Sequence, residues 1–199
     1  MAMPKRCRYP IRCISMCRRI SPPPPQPLRY IDCGAYTGDT IANLSKQGLS
    51  FKAVAAFEPN PALYPQLCET AALHPACLFP CGVWDSMTQL RFTQDDAASH
   101  FDTSGTVMVQ TVSLDQALPN FAPNFIKMDI EGAESTALLG ARNMIATYRP
   151  HLAISAYHKP RGLWDLLLQI QQWNLGYSFR LRAHAYNGFD TVLYATPDP

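Results

Sequence analysis

Four short stretches of this 199-residue chain hold side chains able to do chemistry. The first is Asp32-Cys33-Gly34-Ala35-Tyr36-Thr37-Gly38-Asp39-Thr40, where an acid and two glycines follow an apolar run. Glycine lets backbone approach a ligand closely. Its G-x3-G spacing is not the G-x-G-x-x-G that cradles a dinucleotide pyrophosphate, and the chain has no G-x4-G-K-[ST] phosphate loop. A looser turn of this kind suits a ligand without a pyrophosphate. The second is Glu58, followed by Pro59, at the end of the next apolar run. An acid roughly 20 residues beyond a glycine turn is placed to accept both hydroxyls of a ribose. A solvated loop acid is the plainer alternative. Ribose without pyrophosphate points to an adenosine-type ligand such as S-adenosylmethionine.

The third stretch is Phe125-Ile126-Lys127-Met128-Asp129-Ile130-Glu131-Gly132-Ala133-Glu134, three carboxylates between a strand and a helix. Acids suit a helix N-terminus, so Glu134 reads as a capping charge. Period-2 alternation puts Lys127 on the same face as Asp129, where it reads as a structural ion-pair partner. Asp129 itself ends an apolar strand at the edge where open α/β sheets bind ligands. Farther on, Ala156-Tyr157-His158-Lys159-Pro160 follows another strand. His158 is a candidate general base, since a free imidazole titrates near pH ~6.5; a polar loop residue is the alternative. Asp129 or Glu131 can serve as base instead, or hold a divalent ion that acidifies a hydroxyl. No fixed ligand spacing demands a metal, and its ligands stay unassigned.

The elements that must position these residues alternate. Strands are expected over 29–33, 52–57, 76–81, 125–130 and 151–156, with two further strand-like pieces over 89–93 and 107–112. Helices are expected over 39–47, from Pro61 to about Leu73, over 133–148 and over 163–175. The linker 94–106 is polar and reads as a functional loop, with Ser99 and His100 as lid residues. The chain closes with strands over 177–182 and 191–195 joined by a turn at Asn187-Gly188. Alternation implies a parallel sheet covered on both faces, and the short last connection demands an antiparallel hairpin. The fold class is α/β.

Composition bounds the rest. At 47% hydrophobic and 16% charged, the chain is not disordered throughout, and no apolar run reaches membrane-spanning length. Its net charge of +2 is uneven, because residues 1–27 carry six bases and no acid, leaving the body about −4. A basic tail does not make the body a nucleic-acid binder. That tail holds seven of the 18 prolines and reads as a disordered, polyproline-type extension; organelle targeting is the alternative. Residues 28–199 are expected to be one domain. Seven cysteines without regular spacing argue against a disulfide scaffold. A reducing, cytoplasmic compartment is the expectation.

The chain resembles the FkbM-type S-adenosylmethionine-dependent methyltransferases over roughly residues 29–195. The resemblance rests on 30–40 (YIDCGAYTGDT), on Ala56-Phe57-Glu58-Pro59-Asn60, on 126–134 (IKMDIEGAE) and on the closing Val192-Leu193-Tyr194-Ala195. It implies a seven-stranded Rossmann-like sheet with its last strand antiparallel. It further implies that Asp32 and the turn with Gly34, Ala35, Tyr36 and Gly38, continuing into Asp39 and Thr40, surround the methionine part of the cofactor. Glu58 with Pro59 would hold the ribose, and Gly82 and Val83, after Cys81, would lie beside the adenine. Asp129 and Glu131 would face the reaction centre. The expected reaction is O-methylation of a small molecule or glycan. A non-catalytic cofactor-binding module, a sensor or partner subunit, is the alternative. Oligomeric state is not readable.

Overall fold

The structure is a computed structural model and describes residues 23–93, 100–101, 105–184 and 190–199. The main sheet contains β1 (Leu28–Cys33), β2 (Phe51–Phe57), β3 (Ala76–Phe79), β8 (Phe125–Met128), β9 (His151–Ser155), β10 (Tyr177–Ala183) and β11 (Thr191–Pro197). Their spatial order is β10-β11-β9-β8-β1-β2-β3. Only β11 runs against the others: it pairs antiparallel with both β10 and β9, while the pairs from β9 to β3 are parallel. The strand order reverses next to β1. In such a sheet the crevice above that point receives the ligand.

The central strands are buried on both faces, which is why they read as continuous apolar runs. On one face Tyr30, Val54, Phe125 and Val192 pack with Ile41 and Leu44 of α1 (Asp39–Lys46) and Leu67 of α2 (Tyr64–Ala71). On the other, Ile31, Phe57, Ile126, Ile154 and Leu193 pack with the helices that follow β8 and β9. α1 starts at Gly38, whose φ of 81° is left-handed, and carries Asp39 in its first turn and Lys46 in its last. Both charges complement the helix dipole.

A second sheet of four strands, β4 (Gly82–Val83), β5 (Thr88–Thr93), β6 (His100–Phe101) and β7 (Val107–Val112), is ordered β4-β7-β5-β6. It absorbs the two strand-like pieces and corrects one expectation. The third strand does not run to residue 81: it ends at Phe79, because Pro80 has no N–H to give a ladder. Gly82 and Val83 pair with Thr111 and Val112 in the second sheet. Residues 94–99 and 102–104 of the expected lid loop, and the turn at 187–188, lie outside the described residues.

The short α3 (Leu114–Ala117) precedes β8, and the single helix expected over 133–148 is two, α4 (Glu134–Leu139) and α5 (Arg142–Tyr148). The break falls at Gly140, where any Cβ would collide with the carbonyl oxygen of Trp84. Asp115 then caps α5, its carboxylate accepting from Asn143 N at 3.0 Å and Met144 N at 2.8 Å. α6 (Gly162–Gln172) follows β9. Among the described residues, no helix is long and apolar enough to cross a membrane. The end of the proline tract is docked, with Asn124 Nδ2 donating to the carbonyls of Pro25 and Pro27.

Candidate active site

The carboxyl edge of the sheet holds two adjoining constructions. The first is the turn after β1. Gly34 N and Ala35 N both donate to the Phe57 carbonyl at 3.0 Å, and Gly38 N returns to Ala35 O at 2.8 Å. Gly34 has φ 76°, and a Cβ there would strike the Asp129 carbonyl oxygen, so this glycine is required for the β1 and β8 turns to touch. Tyr36, also left-handed with φ 51°, turns its N–H to Glu58 Oε2 at 2.8 Å. Glu58 Oε1 accepts from Asn60 N at 2.8 Å. The Glu58 carboxylate is thus locked in place at the end of β2, with lone pairs left over on each oxygen. Burial pushes its pKa up, against the two N–H donors.

Asp32 lies beneath this turn, fully buried. Its register partner on β8 is Lys127, whose Nζ sits 3.0 Å from Asp32 Oδ1 and donates to Gly34 O at 2.7 Å. Lys127 is therefore the expected structural ion-pair partner, although its mate is Asp32 and not Asp129. Burial works against its charge, but Asp32, Asp129 and Asp39 together raise its pKa. Asp32 therefore shapes the turn from below. Asp39 and Thr40 open α1 behind it, Thr40 buried.

Pro59 lines a cavity of about 360 Å³ with Tyr64, Pro80, Val107, Met108 and Gln110. Gly82 and Val83, both buried in the second sheet, do not line it; Pro80 does.

The second construction surrounds His158. The strand expected over 125–130 ends at Met128, which frees Asp129 and Ile130 for a turn in which Glu131 has φ 54° and Gly132 φ 95°. His158 Nδ1 is 2.8 Å from Glu134 Oε1, and Nε2 is 3.5 Å from Asp129 Oδ1 and 3.6 Å from Glu131 Oε1. The same Glu134 oxygen accepts from Ile130 N at 3.0 Å and Gly132 N at 3.3 Å. The His158 side chain is 6% exposed. Burial disfavours its charge, but the hydrogen bond and charge of Glu134, then the charges of Asp129 and Glu131, outweigh that and push its pKa up to about 9. Two buried atoms here, His158 Nε2 and Asp129 Oδ1, have no hydrogen-bond partner among the described residues.

The structure thus brings together Asp129, Glu131 and His158, which the sequence offered as separate alternatives. It adds Glu134, which reads as a cap from sequence but bonds the histidine, and Tyr157 and Asp190. The rings of Tyr157 and His158 lie 4.1 Å apart, and Asp190 is hydrogen-bonded to Tyr157. The antiparallel register that pairs Val192 with Ser155, continued past the strand ends, sets residue 190 opposite 157. No periodicity in the sequence carries that register. Among the described residues no group of three or more His, Cys, Asp or Glu is arranged to hold a metal ion.

Comparison with known proteins addresses the family and the fold. The family described as the Methyltransferase FkbM domain matches residues 32–181. The hexuronic acid methyltransferase AglP of Haloferax volcanii is 30% identical over 101 residues, 46% of this chain and 42% of that protein. The crystal structure of methyltransferase FkbM from Methylobacillus flagellatus KT is 29% identical with a TM-score of 0.72, covering 84% of this chain and 43% of that one. The precorrin-6y C5,15-methyltransferase of Geobacter metallireducens GS-15 shares the fold, with a TM-score of 0.57 at 9% identity over 94% of this chain and 86% of its own. The matched regions are thus less than half the length of the first two relatives.

Proposed function

Because the chain belongs to the FkbM methyltransferase family, we propose that it transfers the methyl group of S-adenosylmethionine to a hydroxyl of a small molecule or glycan. The observation that carries the hydroxyl is a pair of buried atoms without a hydrogen bond among the described residues, His158 Nε2 and Asp129 Oδ1, 3.5 Å apart. A hydroxyl both accepts and donates. Its oxygen can take the imidazolium N–H while its proton faces the carboxylate. The sugar methylation named for the Haloferax volcanii relative supports a carbohydrate acceptor.

The residues present fit the cofactor. Glu58, fixed by Tyr36 N and Asn60 N, keeps lone pairs for two ribose hydroxyls. The turn from Gly34 to Gly38, with Asp39 and Thr40 behind it, would enclose the methionine portion, and the cavity that Pro59 lines, one residue beyond Glu58, would take the adenine. The acids at this edge suit a sulfonium, which when bound supplies an electrophilic methyl carbon. The protein's own work is to align the acceptor oxygen and take its proton. A histidine charged at neutral pH has no lone pair to receive a proton. His158 therefore orients the oxygen, and Asp129 is the base, with the more exposed Glu131 beside it.

Calorimetry with S-adenosylmethionine and S-adenosylhomocysteine, followed by transfer of labelled methyl to carbohydrate and metabolite fractions, tests the reading. Micromolar binding and label on a hydroxyl oxygen are expected. Tight cofactor binding without transfer to any of a broad set of hydroxyl acceptors would favour the binding module, and binding of neither ligand would overturn both readings.

A further inference from the structure

We infer that Glu134 is a positioning residue: one of its oxygens ties the 130–132 turn and the His158 ring into a single unit, so that Nε2 faces the acceptor only as a hydrogen-bond donor. Three contacts converge on Glu134 Oε1, from His158 Nδ1 at 2.8 Å, Ile130 N at 3.0 Å and Gly132 N at 3.3 Å. The oxygen is acceptor-only, so Nδ1 must carry its proton. That leaves the neutral ring with its lone pair on Nε2, aimed at Asp129 Oδ1 and Glu131 Oε1, 3.5 and 3.6 Å away. A lone pair facing two carboxylate oxygens is repelled, and a second proton turns the repulsion into attraction. Neighbouring groups crowd the ring and its loop. Tyr157 packs on it with a centroid separation of 4.1 Å, and the Lys159 stem crosses Gly132 so closely that a Cβ there would lie 3.1 Å from Lys159 Cε.

The charged and titratable groups around the ring come from every element packed against it. Glu134 belongs to α4, Asp129 and Glu131 to the turn after β8, and Asp190 to the entry of β11, where it holds Tyr157 and feels the His158 charge. Lys159, on the same loop as His158, runs its stem past Gly132 and brings an opposing cation to this loop. The balance stays with the acids, consistent with a His158 pKa raised to about 9.

Side-chain NMR titration of His158 in the full chain, with His158→Gln used to assign the signal, tests this without any acceptor. The wild-type ring is expected to stay doubly protonated through pH 8. In Glu134→Gln, which keeps the shape and loses the charge, the midpoint is expected to fall to that of a free histidine, ~6.5 or lower. Glu134→Asp should restore a raised midpoint. A wild-type midpoint near ~6.5, or an unchanged midpoint in folded Glu134→Gln, would overturn the inference; the first needs no variant to fold. The donor role toward an acceptor rests on the proposed methyl transfer, and once an acceptor is in hand Glu134→Gln should raise KM more than it lowers kcat near neutral pH. Failure to bind S-adenosylmethionine would sink that reading while leaving the titration result standing, so the two failures are distinct.

Discussion

The turns after β1 and β8 touch each other at Gly34 and Asp129, yet they are built in different ways. The β1 turn is a backbone device. Its shape comes from left-handed residues at 34, 36 and 38, from N–H groups donated to Phe57 O and Glu58, and from the buried Lys127–Asp32 pair below it. The β8 side is a side-chain device, assembled from residues 129–134, 157–158 and 190 around one imidazole. A backbone device can be lost only by disturbing the fold that makes it. A side-chain cluster at the edge can lose its chemistry while the sheet beneath it stays intact.

Lys127→Met tests the first half of this contrast most severely. It leaves Asp32 buried without its cation and removes the donor to Gly34 O. Breaking a buried pair by removing one partner costs about 3–5 kcal/mol, a large part of the stability of a domain this size. Urea denaturation should show that loss, and cofactor binding should vanish with it. Near-parental stability would mean that the turn does not depend on the pair.

Asp129→Asn tests the second half. The amide is nearly the same size and cannot take a proton, so transfer should slow by about 10²–10⁴-fold while the urea midpoint and cofactor affinity change little. If stability fell together with activity, the β8 cluster would be structural in the same sense as the β1 turn. Glu58→Ala lies between the two. It removes a carboxylate that holds Tyr36 N and Asn60 N and would hold the ribose. Hydrogen bonds to a charged group contribute about 1.5–3 kcal/mol, so S-adenosylmethionine affinity should drop by roughly 10- to 100-fold in calorimetry, with the fold retained.

The same contrast decides what the sequence could reveal. The β1 turn was legible because its glycines and acids are consecutive or separated by one strand–helix–strand unit, and the strands around it are short apolar runs that only a buried parallel sheet explains. The parallel sheet and its antiparallel hairpin followed from alternation and from one short connection, while the count of seven strands followed from the resemblance to the FkbM-type methyltransferases. Asp129, Glu131 and His158 were legible as types at strand ends. Their joining was not, since it depends on β8 and β9 being neighbours and on the angle of the five-residue turn 129–133. Glu134 looked like a cap because capping and histidine binding use the same residue at the same helix position. Asp190 gave no local signal, for its place opposite Tyr157 is set by register across β9 and β11. The break at Gly140 was hidden for a similar reason: the obstacle, Trp84 O, comes from a distant segment.

The smallest effect expected, and the sharpest check on how the β8 cluster is held, is the pH dependence of stability. In the unfolded chain His158 titrates near ~6.5, and in the fold its pKa is raised to about 9. A raised pKa means that the folded state holds the proton more tightly. The stabilisation is therefore complete below pH ~6.5 and is lost as the pH climbs through 9. Other groups act mostly outside that window. Asp32, pushed up to about 6 by burial against the pull of Lys127, has largely finished titrating by pH 7. His151, pushed down by burial, contributes the opposite slope below it, and Cys81, raised by burial to about 11, enters only as unfolded thiols ionise near ~8.5. Between pH 7 and 8.5, urea unfolding should thus report a fall of roughly 1–2 kcal/mol. Glu134→Gln should flatten the slope, because its histidine gains little on folding. Lys127→Met should lower the whole curve and leave the His158 part of the slope in place, while Asp32, freed from the pull of Lys127, titrates higher and adds its own fall. A slope flattened equally in both variants would mean that the two turns share one electrostatic support after all, and an unchanged slope in Glu134→Gln would mean that Glu134 does not hold the His158 proton.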